Sequence, residues 1–322
     1  MFNSKLVVMV LGASAMLGAS VSANATAYAS AVLSLTNSKL TVGNGTDGGS
    51  GIGTLGRAVA QSDFLGISGN NTGGVSTGLN GVNNANSATT NITTGTGINL
   101  TNLFQGTNVV GDDNYAPIAP PATTTYVNAD ADLKGSIITL NNGVVAGADA
   151  QTRADASIPV SGNDGNAHSS LGLSSSAIFT VTSILTSGFT ISFDYLAYLA
   201  TELTLDEVVP GYVQASIKWG LTLTDITAGN TVVGSFNPGD LNSESSVDAP
   251  FDTTNIYSKS GSLAWYSGAL TANHQYRLSV NQNSDAVAVS STVPEPSSVA
   301  LIGIAMIGLA RFTGRNNVKL SA

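Results

Sequence analysis

Cysteine is absent from the 322 residues, and with it go disulfides, thiol catalysis, zinc–thiolate sites and iron–sulfur clusters. Histidine is nearly absent: His168 and His274 are the only two, too few for a histidine-built metal centre. Charge is scarce as well, at 10% of residues against about 25% in an average globular chain. Neutral polar groups must therefore carry solubility. What charge there is leans acidic, 11 basic against 20 acidic residues for a net −9, which argues against binding DNA or RNA through phosphates. Glycine, by contrast, is plentiful at 36 residues.

The two ends carry an address. Residues 1–25 read as a secretory signal peptide, with Lys5 as the positive start and Leu6 to Leu17 as the apolar stretch. Ala23-Asn24-Ala25 supplies the small-x-small pattern of a cleavage site, with the cut expected after Ala25 or a few residues later. At the other end, Val293-Pro294-Glu295-Pro296-Ser297-Ser298 precedes an unbroken apolar run from Val299 to Ala310. That run is shorter than the ~20 residues of a comfortable membrane span. Arg311 and Arg315 follow directly, as a cytoplasmic flank requires, and Lys319 lies beyond. Pro296 is well placed just before a helix and would break one from inside.

This order of motif, apolar run and basic cluster resembles the PEP-CTERM sorting domain of Gram-negative bacteria, over residues 293–315. The seven residues Asn316 to Ala322 extend past it. The resemblance implies that exosortase, a membrane-embedded cysteine transpeptidase-like enzyme, reads Pro294, Glu295 and Pro296 and removes the tail during export. Arg311 and Arg315 would then hold the membrane flank until processing. The resemblance further implies a link to exopolysaccharide and biofilm production, and a processed chain at the cell surface or outside the cell.

Between the ends, from residue 26 to Pro294, seven cations stand against nineteen acids, a net −12 that suits solubility and repulsion from anionic surfaces. Residues 26–130 form a Gly/Asn/Ser/Thr-rich segment. Those four types fill 44 of the 70 positions from 41 to 110, and no charged residue occurs between Asp63 and Asp112. Turn formers and isolated apolar residues alternate there, which reads either as short strands with long loops or as a partly disordered arm. An acidic-alanine echo, at Ala129-Asp130-Ala131-Asp132, Ala148-Asp149-Ala150 and Ala154-Asp155-Ala156, is too irregular to be a repeat.

Residues 131–292 carry firmer strand signals. Val213, Ala215, Ile217, Trp219, Leu221 and Leu223 alternate strictly with polar residues or glycine, placing Trp219 on a buried face and Lys218 in solvent. Phe189, Ile191 and Phe193, and later Tyr276, Leu278 and Val280, alternate in the same way. Asp194 to Glu207 fits two readings, because Leu196, Leu199 and Leu203 are spaced as on a helix yet no cap precedes them. The expected architecture is all-β: an antiparallel, jelly-roll-like β-sandwich flanked by a signal helix and a short C-terminal transmembrane sorting helix.

The search for chemistry returns little. Gly43-x-Gly45-x-x-Gly48 and Gly51-x-Gly53-x-x-Gly56 match a dinucleotide fingerprint in form, but no helix of adequate length follows either. No Gly-x-Ser-x-Gly elbow occurs, and both histidines read as exposed loop residues. Asp112-Asp113, Asp130/Asp132 and Asp206-Glu207 read as solvated acids. Asp130 and Asp132 would share one strand face, a hint of a surface Ca²⁺ site without the full ligand set. Of Trp265 and Tyr266, one must face outward. No catalytic residue, metal ligand or cofactor is assigned. The expectation is a non-enzymatic matrix protein with exosortase, the membrane and exopolysaccharide as partners. The alternative is a secreted carbohydrate-binding module or weak carbohydrate-active enzyme.

Overall fold

The computed structural model describes residues 26–43, 57–92, 98–106, 115–117, 124–136, 147–159, 162–172, 177–204, 211–248 and 253–290. The expected signal helix and sorting helix lie outside these residues. The described residues contain no α-helix, only three 3-10 turns. In chain order the strands are β1 (Thr26–Val42), β2 (Phe64–Leu79), β3 (Val82–Ile92), β4 (Ile98–Gly106), β5 (Tyr126–Ser136), β6 (Gly147–Ile158) and β7 (Asn163–Gly172). Then follow β8 (Ala177–Val181), β9 (Phe189–Thr204), β10 (Gly211–Asp225), β11 (Thr231–Phe236), β12 (Ser243–Asp248), β13 (Thr253–Tyr266) and β14 (Gln275–Ser290).

Among the described residues every strand pairing is antiparallel, and the strands form two sheets. Sheet one runs β13-β9-β1-β6-β5-β4; sheet two runs β11-β10-β14-β7-β2-β3, with β12 also on β10 and β8 joined to β14 and β2. Six and eight strands exceed the eight of a two-Greek-key jelly roll. The segment 26–130 and the body 131–292 share both sheets: β1 lies between β6 and β9, and residue 130 falls inside β5.

Period-two alternation builds the core. Odd residues of β1 (Ala27, Ala29, Ala31, Leu33, Leu35) point inward, as do Val213 to Leu223 of β10, and all join one buried cluster. Trp219 is 3% exposed and packs across to Phe193 of sheet one, ring centroids 5.1 Å apart. The doubtful stretch from Asp194 is strand as far as Thr204, the end of β9, with Leu199 and Leu203 in the core. The 41–110 region holds strands of 16, 11 and 9 residues rather than short ones.

The two ends of the described body lie together. Ala27 pairs in register with Leu203, and Gly211 pairs with Ser290. A Cβ on Gly211 would sit 2.8 Å from Leu203 Cδ1, so the two pairs are stacked across the sheets. Thr26 and Ser290 therefore leave from the same end of the sandwich.

Candidate functional site

β14 is an interior strand, bonded to β10 on one side and to β7 and β8 on the other. Its last residue, Ser290, pairs with both Gly211 and Asn163, and its carbonyl accepts the Gly162 N–H at 2.7 Å. The chain thus reaches the expected sorting motif from a strand fixed on both sides. Pro294, Glu295, Pro296, Arg311 and Arg315 lie outside the described residues, as do Ala23 and Ala25; β1 begins at the next residue, Thr26.

Neither histidine is an unengaged loop residue. His168 lies within β7, where register aligns Ser76 (β2), His168, Asp285 (β14) and Ser216 (β10) in one cross-strand row. His168 Nδ1 is 2.5 Å from Asp285 Oδ1, and Ser216 Oγ donates to Asp285 Oδ2 at 3.3 Å. The bond to Asp285 raises the His168 pKa above the ordinary imidazole value, while partial burial acts the other way. A groove of about 430 Å³ opens here, lined among others by Ser76, Asn83, Asn166, His168 and Asp285. Two of its lining amides close tightly over Gly78, where a Cβ would come within 2.4 Å of Asn83 Oδ1 and 2.5 Å of Asn166 Oδ1.

The row contains serine, histidine and aspartate but not their catalytic order. A hydrolase needs the imidazole between hydroxyl and carboxylate. Here Asp285 stands between Ser216 and His168, and Ser76, beside His168 in register, makes no hydrogen bond to it. The floor is a strand ladder whose N–H groups are largely bonded to neighbouring strands, which leaves few preorganised donors for an oxyanion. What the groove presents is an array of amides and hydroxyls around an Asp-oriented imidazole. His274, just before β14, places Nδ1 2.7 Å from Asp225 Oδ2. Both carboxylates lie far from their histidines in sequence, 117 and 49 residues away, so local context could not reveal them.

The acidic-alanine echo has a structural cause. In β5 and β6 the alanines Ala129, Ala131, Ala154 and Ala156 face the core, and the alternate residues face the outside of sheet one. That outside is itself covered, by a second cluster of Tyr28, Val32, Tyr115, Tyr126, Tyr198 and Ala200. Asp130 and Asp132 do share a face but are 2% and 4% exposed, which corrects their reading as solvated acids or a surface Ca²⁺ site. Lys134 Nζ approaches Asp132 Oδ2 at 2.9 Å. Asp155, wholly buried, pairs with Arg153 and accepts a 2.5 Å bond from Ser30 Oγ. Burial pushes its pKa up against the pull of Arg153 and the hydrogen bonds. Burial and the nearby Asp155 charge push the Tyr126 phenol up to about 12.

Among the described residues no group of three or more His, Asp or Glu is arranged to hold a metal ion. Asp112, Asp113, Asp206 and Glu207 lie outside them, as does all but Gly43 of the two glycine fingerprints. Trp265 is half-buried against Phe189, ring centroids 6.2 Å apart, while Tyr266 is 38% exposed. The Tyr266 hydroxyl is nonetheless engaged, donating to Ser187 O at 2.6 Å.

Residues 292–315 match the family model of the PEP-CTERM protein-sorting motif. No curated protein matches the chain, and no solved structure does. The matched segment starts two positions after the last residue of β14. The chain is a β-sheet protein that carries a PEP-CTERM sorting motif, the signal of an exported protein sorted by exosortase.

Proposed function

We propose that this is a non-enzymatic surface or extracellular protein of an exopolysaccharide matrix, delivered by a signal helix at residues 1–25 and released from a transient C-terminal membrane helix by exosortase. The observation that carries the reading is the sorting motif, matched at residues 292–315 and joined almost directly to β14. Eight residues, 291–298, separate Ser290 from the apolar run, a reach of at most ~29 Å. Before processing, the folded body would therefore stand close to the membrane with its Thr26/Ser290 end inward.

A structural role is supported by what surrounds the polar side chains. His168, Asp285 and Asp155 are engaged in pairs within the sheets, and none stands in a nucleophile–base–acid sequence. A second reading, a carbohydrate-binding module, is favoured by the groove at His168, whose amides and hydroxyls suit a hydroxyl-rich ligand.

The test is mass spectrometry of the native protein from surface and culture fractions, with exosortase present and absent. Surface and released forms should depend on exosortase. Equal amounts of identical protein in both strains would refute the reading.

A further inference from the structure

The charge-free stretch between Asp63 and Asp112 gathers on one side of the sandwich. It forms β2, β3 and β4, and the last two are the edge strands of sheets two and one on that side. On the opposite side the edges are guarded in the ways edge strands usually are. There β11 and β12 have six residues each, β12 carries Glu244 and Asp248, and β13 carries Lys259. β3 has none of these guards. It runs eleven residues, VNNANSATTNI, without charge or proline, and among the described residues its only ladder is with β2. Val82, at its start, is 64% exposed. An edge of this kind offers a row of backbone donors and acceptors about 37 Å long.

The sequence of β3 is self-complementary about its midpoint. Laid antiparallel on a second copy with a two-fold axis at Ser87, Val82 faces Ile92, Asn83 faces Asn91, Asn84 faces Thr90, Ala85 faces Thr89, and Asn86 faces Ala88. The apolar ends meet each other, Asn83 meets Asn91 and Asn84 meets Thr90, the small residues around Ser87 set methyl groups against Asn86 and Thr89, and no charge is placed anywhere. That is the pattern an isologous contact demands, the same patch meeting itself. Charge favours the same side. A body of net −12 repels its own copies over most of its surface, and the β2–β3–β4 side is where two copies can approach without bringing their own charged residues together.

We propose that β3 is a homotypic docking edge: two copies of the chain pair β3 to β3 antiparallel about Ser87 and join their second sheets into one continuous sheet. Main-chain hydrogen bonds give the affinity and the neutral side chains set the register. The proposal is independent of the matrix reading.

Register supplies a specific test. Ala85, Ser87 and Thr89 lie opposite Ser76, Gly74 and Thr72 of β2, on the outer face of the sheet, so charge there does not enter the core. In the proposed dimer Ala85 faces Thr89 of the other copy twice. The double variant Ala85→Lys/Thr89→Lys therefore sets ammonium against ammonium at both places, and Ala85→Lys/Thr89→Glu sets ammonium against carboxylate.

The measurement is multi-angle light scattering of the purified full chain in mild detergent, micelle mass subtracted, across a concentration series. Wild type should reach twice the chain mass. The Lys/Lys variant should dimerise at least about tenfold more weakly, and the Lys/Glu variant should recover dimerisation at low salt. A wild type that stays monomeric, a Lys/Lys variant that dimerises as wild type does, or equal weakening of both variants would overturn the proposal.

Discussion

Gln282 of β14 donates its Nε2 to the Leu33 carbonyl of β1 at 2.8 Å, across the gap between the two sheets. The same nitrogen reaches Ala150 O at 3.2 Å and Thr152 Oγ1 at 3.1 Å, so one amide fastens sheet two to β1 and β6 of sheet one. Gln282 is buried, and its strand is the one from which the sorting segment departs. Buried hydrogen bonds of this kind cost about 1–3 kcal/mol when one partner is removed. Gln282→Ala should lower unfolding free energy by at least that amount in urea titrations with an unchanged slope. A loss below about 0.5 kcal/mol would show that the amide does not fasten the sheets.

Gly211 is packed for the absence of a side chain. A Cβ there would meet Leu203 Cδ1 at 2.8 Å and Val289 O at 3.3 Å. Gly211→Ala should therefore destabilise by about 1–3 kcal/mol through overpacking. Pairing it with Leu203→Ala should return part of that loss, which a double-mutant cycle would reveal. Additive losses would mean the two sheets are not in contact at this end.

Trp219 sits between Phe193 at 5.1 Å and Phe236 at 5.8 Å, ring centroid to centroid. Its removal empties the centre of the core, so Trp219→Ala should cost ~3–5 kcal/mol. Thermal unfolding of the purified variant measures it. A near-native midpoint would contradict this account of the core.

Two groups, His168 and Asp155, should make the fold less stable as pH rises from the ordinary carboxylate range. The bond to Asp285 raises the His168 pKa, so His168 contributes fully below its unfolded value of about 6.5, and the contribution is lost as pH rises through the folded value. Asp155, raised chiefly by burial, acts in the same direction: the folded state holds its proton longer than the unfolded chain does. Stability should therefore fall as pH climbs from the ordinary carboxylate range through the raised Asp155 value, and again above about 6.5. His168→Gln should flatten the second fall alone. Identical pH profiles for the variant and wild type would show that the His168–Asp285 bond adds nothing.

How much of this was legible depended on burial. β10 was, because it is buried on one face and its polar residues alternate faithfully from Gln214 to Thr224. β9 was not: its outer face lies under the tyrosine cluster, so Ala197 to Leu203 is buried without a break and the period of two is erased. The leucine spacing that suggested a helix was coincidental. Asp130 and Asp132 misled for the same reason, since an acid on the outer face of a sheet is ordinarily wet and these are covered. β3 misled in the opposite way. With hardly any burial, its asparagines and threonines carry no apolar signal, although they form an eleven-residue strand. The partners of His168 and His274 were out of reach because folding, rather than local sequence, brings the carboxylates to them.

The central claim is that Pro294-Glu295-Pro296 is read and the tail removed after the sandwich has reached the far side of the membrane. In the proposed reading, proline on both sides would hold Glu295 extended and outside a helix, a form an enzyme can bind. The most direct measurement is a C-terminal peptide map of surface-located protein, for wild type and for the triple variant Pro294→Ala/Glu295→Ala/Pro296→Ala. Wild type should lack Val299 to Ala322, and the triple variant should accumulate unprocessed in the inner membrane. Surface-located wild-type protein that still ends at Ala322 would contradict the account.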